Sequence, residues 1–346
     1  MKILLKLLKW FGILIGSIIF LILFAGFTYR IFGPKPQPPG DLVDVGGYKL
    51  HINAVGEKNS QPTVVIEAGL GVPSEHFYWL GEGLKDSLRV VRYDRAGIGY
   101  SDLSDAPRDA ETAARDLHTL LENSGESPPY ILAGHSIGGL YIRVFAQLYP
   151  EEVAGLVFID SSHPDQRERL QLPESPDMST MMKGFAVVCD LGIYGLVQSY
   201  TGSPFALDGL PDEVNERFFD YGTNGKYLRG VIQETKWSKE NFKRAGLAKD
   251  FADIPIRTFT ATVKADEQLR RRGIDPDQYQ AGWEQMHLEI ANLSNNGKHM
   301  LIDGHHNSIY TDRENAEIIC KEILALTKFH GKSEAKHQTS NFAELK

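Results

Sequence analysis

Residues 130–139 constrain this chain more than any other stretch. Tyr130-Ile131-Leu132-Ala133 is an apolar run of strand formers that leads into Gly134-His135-Ser136-Ile137-Gly138, and residues 140–146 follow with helical spacing. A Gly-x-Ser-x-Gly sequence between a strand and a helix requires a tight, strained turn with the serine at its apex. Gly134 and Gly138 keep the flanking positions free of side chains that would collide as the chain doubles back. Ser136 would then present its hydroxyl above the sheet, near the positive end of a helix. The bare five-residue pattern recurs by chance; the strand before it and the helix after it give it weight.

The rest of the composition is that of a globular protein with a sizeable core: 346 residues, 42% apolar and 24% charged. A net charge of −8, with no long basic run beyond the N-terminus, argues against a nucleic-acid partner. Cys189 and Cys320 are the only cysteines. They form no metal-spacing motif and no disulfide framework, though a single bridge between them stays open. No metal or cofactor is expected.

The N-terminus carries the second strong signal. Lys2, Lys6 and Lys9 punctuate an apolar start, and residues 10–29 contain no charged side chain, a run long enough to cross the hydrocarbon core as a helix. Arg30 closes it, and the proline-rich residues 34–40 read as a semi-rigid spacer. The rival reading is a cleaved signal peptide. The apolar run is longer than a usual signal core and no small-x-small site follows it, so a retained anchor over residues 1–33 is preferred. The lysines would hold the N-terminus in the cytoplasm and place the main domain on the extracytoplasmic side.

Beyond the spacer, residues 42–45 and 48–55 alternate around Gly46-Gly47 as an antiparallel hairpin. Buried strands are expected at residues 63–67, 88–93, 153–159, 254–262 and 299–302 besides the one before Ser136. Helices are expected at residues 75–86, 110–123, 277–293 and 313–328. Strands alternating with helices predict an α/β domain over residues 41–328, with a mostly parallel sheet covered on both faces. Between Asp160 and Ile254 lie roughly ninety residues with no convincing strand, too long for a bare loop. They read as an inserted helical lid over residues 161–253. The polar residues 329–346 read as a disordered tail.

With these residues in view, the chain resembles the α/β-hydrolases. Gly134-His135-Ser136-Ile137-Gly138-Gly139 is similar to the family's G-H-S-x-G-G, and Asp94-Arg95-Ala96-Gly97-Ile98-Gly99-Tyr100-Ser101 to its D-R-x-G-x-G-x-S loop. The resemblance implies Ser136 as a nucleophile that needs a histidine to accept its proton. Gly304-His305-His306-Asn307-Ser308-Ile309 follows the last expected strand, in the Ser…Asp…His order of this fold. His306 is preferred, and His305, directly after a glycine, is the alternate. For the orienting acid, Asp160 ends a segment resembling the one that carries a catalytic glutamate in haloalkane dehalogenases, and is preferred. Asp266 is the alternate, in the family's more usual place but without the glycine that normally precedes it. Asp94 reads as structural, tied to Arg95 within its loop. Oxyanion donors are expected at the amides of Ile137 and Leu70. Glu67-Ala68-Gly69-Leu70-Gly71 departs there from the family's His-Gly, which puts the support of that loop in doubt.

The dehalogenase likeness does not extend to chemistry, because enzymes of that kind use an elbow aspartate to attack carbon, and a serine points to acyl transfer. The sequence therefore leads to a membrane-anchored serine hydrolase of the esterase or lipase kind, acting on a small and hydrophobic ester. Alternatives are the same triad hydrolysing a thioester, amide or carbon–carbon bond, or a non-catalytic binding protein on this fold. Phe185, Tyr194, Phe205, Phe218 and Trp237 would line an apolar acyl pocket or form the lid's own core.

Overall fold

The structure is a computed structural model; it describes residues 1–35, 37–174, 176–202, 206–262 and 266–343, the side chains of residues 220, 268 and 330–343 excepted. Phe205 therefore lies outside the described residues. Eight strands form one sheet: β1 (Asp41–Asp44), β2 (Lys49–Val55), β3 (Thr63–Glu67), β4 (Val90–Tyr93), β5 (Tyr130–His135), β6 (Val153–Ile159), β7 (Ile256–Ala261) and β8 (Gly297–Ile302). Their spatial order is β1-β2-β4-β3-β5-β6-β7-β8. The β1–β2 hairpin pairs antiparallel and β2 joins β4 antiparallel, whereas β4 to β8 run parallel.

The central strands β3, β4 and β5 are buried at every position, as their Val- and Ile-rich runs require of a sheet covered on both sides. One face packs on helices Ala110–Asn123 and Gly138–Leu148, around Leu117, Leu121, Leu140, Val144 and Phe145. The other packs on helices Tyr78–Leu84 and Arg313–Ala343, around Leu80, Leu84, Ile319 and Ile323. Helix Ala110–Asn123 starts where Asp109 caps it, its carboxylate accepting from the Glu111 and Thr112 amides. The expected helix at residues 75–86 is divided, a 3-10 turn over Ser74–Phe77 leading into Tyr78–Leu84.

The segment between β6 and β7 contains helices Gln166–Arg169, Ser179–Asp190, Ile193–Thr201, Asp212–Gly222 and Gly225–Ala245. At the N-terminus, helix Lys2–Phe32 leaves nearly all its apolar side chains exposed. Two expectations change. The backbone stays helical to Ala343, through residues expected to lack regular structure; lysine, glutamate and alanine there are good helix formers, and extending a nucleated helix costs little. Cys189 and Cys320 are both free and buried, so no bridge joins them.

Candidate active site

The parallel register sets the site. It pairs Glu67 with Gly134, His135 with Ile159, and Ile159 with Phe259, so β3, β5, β6 and β7 end nearly level at their carboxyl ends. The loops leaving those ends carry the candidate groups, at the edge where sheets of this kind bind their ligands.

Ser136 follows β5 directly and sits at φ +53°, in the left-handed region. Such a conformation costs a side chain about 1–3 kcal/mol and persists only where the surroundings hold it. Here the Ser136 carbonyl accepts from the Ser162 amide (2.8 Å) and the Gly139 amide (3.1 Å), and its own amide donates to Ile159 O (3.3 Å). The flanking glycines are there for space. A Cβ on Gly134 would come within 2.7 Å of the Gly138 carbonyl carbon, and one on Gly138 would strike Glu67 O. Helix Gly138–Leu148 begins two residues beyond the serine, directing its positive end at this corner.

Asp160 leaves β6 at φ +40° and is buried. Its Oδ2 lies 2.5 Å from His306 Nδ1, while its Oδ1 accepts from Trp283 Nε1 (2.8 Å) and the Ala261 amide (3.1 Å). Burial pushes the carboxyl upward. The His306 hydrogen bond and charge, with His287 and Trp283, outweigh that and bring its pKa down to about 2. An ionised carboxylate on Nδ1 leaves the other ring nitrogen, Nε2, as the base position. His306 lies beyond β8, with its side chain 46% exposed. The alternates lie apart from this pair. His305 is exposed, its amide bonded to Ser308 Oγ (2.7 Å). Asp266 is exposed in the first turn of helix Asp266–Arg271, with no bond to either histidine among the described residues.

Three supports were not assigned from the sequence. His135 is buried, and burial, then His306, push its pKa well below the usual imidazole value, so it is neutral. Its Nε2 donates to the His306 carbonyl (3.0 Å), and the two rings lie 4.4 Å apart. His287 Nε2 donates to Ser161 O (2.7 Å), fixing the turn after Asp160. Trp283, on helix Pro276–Ala291, gives Asp160 its indole N–H. His135 stands inside the G-H-S-x-G-G motif, so a signal existed for it; nothing near Trp283 or His287 in the chain points to Asp160.

The loop after β3 carries Leu70. Neither the Leu70 nor the Ile137 amide donates a hydrogen bond to another group among the described residues. The loop's support, left open by the missing His-Gly, comes from Arg95. Its guanidinium lies between Glu67 (2.5 Å) and Glu234 (2.7 Å) and donates to Ala68 O and Gly69 O, both at 2.7 Å. Glu234, buried on helix Gly225–Ala245, also accepts from the Gly71 amide (2.9 Å), and Tyr227 on the same helix donates to Gly71 O (2.7 Å). Gly69 has no room for a side chain, since a Cβ would be 2.9 Å from His135 Nδ1. Asp94 is not tied to Arg95: its carboxylate takes His51 Nδ1 (2.8 Å) and the amides of Ser74 and Tyr100 instead. The Arg95 fork points away, to the loop after β3, where its planar donors match two carboxylates and two carbonyls.

Residues 62–189 match the family model described as the alpha/beta hydrolase fold. Cfl2 from Burkholderia cenocepacia has a similar structure, with a TM-score of 0.60 at 20% identity over 85% of this chain and 100% of that one. A thermophilic esterase from Thermogutta terrifontis is similar at TM-score 0.55 and 17% identity, over 84% of this chain and 99% of that one. Among curated sequences, the uncharacterized protein YbdG of Bacillus subtilis is 27% identical over 223 residues, 62% of this chain and 68% of that protein. Two further curated relatives are matched over only 20% and 49% of their own length. The chain has the alpha/beta hydrolase fold, and residues 62–189 carry the match to that family model.

Proposed function

We propose that the chain is a serine hydrolase that cleaves carboxylic esters through an acyl-enzyme, held at a membrane by helix Lys2–Phe32. The observation that carries the chemistry is the strained Ser136 elbow level with an ionised Asp160 that holds His306 by Nδ1. Ser136 Oγ attacks the ester carbonyl and His306 Nε2 takes its proton. The amides of Ile137 and Leu70 receive the oxyanion, each removing about 3 kcal/mol from the barrier. His306 then protonates the leaving alkoxide, and water, deprotonated by the same imidazole, releases the acid. Asp160 keeps the tautomer fixed throughout.

The helices of residues 161–253 serve as the lid over the acyl pocket. In support, Glu234 and Tyr227 reach from helix Gly225–Ala245 to the oxyanion loop. The anchor reading is supported by a 31-residue helix whose mean hydropathy reaches 2.5 and whose apolar side chains lack protein cover. The N-terminal lysines place its start in the cytoplasm and the hydrolase domain on the extracytoplasmic side.

The test is labelling by a fluorophosphonate probe, followed by turnover of p-nitrophenyl esters of increasing acyl length. The wild-type protein is labelled and turns over esters, and Ser136→Ala does neither. A folded wild-type protein that resists the probe and leaves every ester intact refutes the catalytic reading and favours a binding domain.

A further inference from the structure

The exposed apolar surface of the N-terminal helix continues onto the helical insert. Near its C-terminal end, helix Lys2–Phe32 meets the helices Ser179–Asp190 and Ile193–Thr201, which cross at 79°. The joint is close. A Cβ on Gly26 would lie 2.6 Å from Leu191 O and 2.9 Å from Ile193 Cγ1, and one on Gly195 would lie 2.7 Å from Tyr29 Cε1. Gly192, at φ +73°, turns the chain against Gly26 O, and the Arg30 guanidinium donates to Asp190 O. Across residues 179–201 the only charged side chains are Lys183 and Asp190, and Asp190 is paired with Arg229 at 2.8 Å. Yet Met181, Phe185, Val187, Leu191, Val197 and Tyr200 are exposed, Met181 by 61% and Val187 by 55%.

We propose that this bent helix pair is a second membrane contact, lying in the interfacial region of the leaflet in which the anchor ends, with a phospholipid bilayer as its partner. The inference rests on the reading of helix Lys2–Phe32 as an anchor. Continuity selects the bilayer over a protein partner, because Phe20, Leu23 and Phe27 on the anchor are themselves exposed and require hydrocarbon around them. Depth agrees. Gly26 is six residues before Phe32, about 9 Å along the helix axis at 1.5 Å per residue. Interfacial helices bury their apolar face by about 5–10 Å. The contact also bears on the site. The pair is fastened to helix Gly225–Ala245 by the Arg229–Asp190 ion pair and by the close approach of Gly225 to Ala186 O, and that helix holds the oxyanion loop through Glu234. Its seat in the membrane therefore sets where an ester dissolved in the leaflet meets the lid.

The experiment uses the full chain in phosphatidylcholine–phosphatidylglycerol vesicles, with nitroxide labels on single introduced cysteines, Val187→Cys or Val197→Cys. Glu151→Cys is the aqueous reference and Leu14→Cys reports on the anchor. Collision with oxygen relative to a water-soluble nickel chelate is read by spin resonance. Labels at 187, 197 and 14 should show ratios several-fold above that at 151. A high ratio at 14 with ratios at 187 and 197 equal to that at 151 overturns the proposal and leaves the anchor standing. A low ratio at 14 with high ratios at 187 and 197 overturns the anchor reading and, with it, the proposal of a second contact beside that anchor. Low ratios at all three sites overturn both.

Discussion

The strand ends and the helical insert meet at the loop after β3 but are built on opposite terms. β3, β5 and β6 are buried, in fixed parallel register, and deliver Glu67, Ser136 and Asp160 level with one another. The insert is a set of helices with apolar residues on its outside, Met181, Val187 and Val197 among them, and a buried carboxylate, Glu234, that reaches the loop after β3. The candidate catalytic groups stand on the first region, where backbone pairing leaves little freedom. The second is joined to it by side chains, with Glu234 and Tyr227 at the loop after β3, Arg217 on Glu75 and Arg244 on Glu111.

The comparison breaks first, if it breaks, at the strand ends. Ser136→Ala should lower ester turnover on the order of a million-fold and leave the melting temperature near that of the wild type, measured by kinetics and thermal denaturation. Asp160→Asn should cost on the order of ten-thousand-fold in kcat, since the amide favours the wrong imidazole tautomer. Asp266→Asn should leave turnover unchanged; a large loss there would move the acid to the other candidate strand end.

Glu234→Ala sharpens the join between the regions. Removing a carboxylate that holds Arg95 and the Gly71 amide should lower kcat roughly tenfold to a hundredfold, less than the roughly hundredfold to thousandfold loss of removing an oxyanion donor outright, with KM little changed. A change in KM alone would mean that the insert meets the substrate without bearing on the proposed oxyanion donors.

The smallest effect concerns stability against pH. His76, buried against the insert with its ring 5.1 Å from Phe218, is pushed down to about 4, chiefly by burial. His163, at the start of the insert, is also lowered to about 4, by burial first and then by Arg143. An unfolded histidine titrates near 6.5, so the unfolded chain takes up these protons first as pH falls. The contribution of the neutral rings is thus fully present above about pH 6.5 and is lost as pH drops toward about 4. Thermal melts of Ser136→Ala across that window should show a falling midpoint, and His76→Leu should flatten the slope. A midpoint that holds steady would mean that water reaches both rings.

Much of this was legible in the chain because it depends on near neighbours. The elbow needs two glycines around one residue of positive φ, and residues 130–146 state that within one strand, one turn and one helix. The hairpin around Gly46-Gly47 and the helix Ala110–Asn123 were readable for the same reason. Less was legible where two acids or two histidines competed, since spacing along the chain does not say which lies beside which. Asp160 and His306 are 146 positions apart, and only the order β5-β6-β7-β8 brings them together.

By itself the sequence determined the alternation that makes a parallel sheet, the serine at its tightest turn and an apolar first helix, because each follows from local sterics and the periodicity of burial. The tertiary structure alone decided that His306 rests on Asp160 while His305 and Asp266 stand in solvent. It decided too that Arg95 holds the loop after β3 instead of pairing with Asp94, and that the exposed apolar surface of helix Lys2–Phe32 continues onto the insert. Those are pairings between distant segments, fixed by strand register and helix packing, and no local rule selects among them.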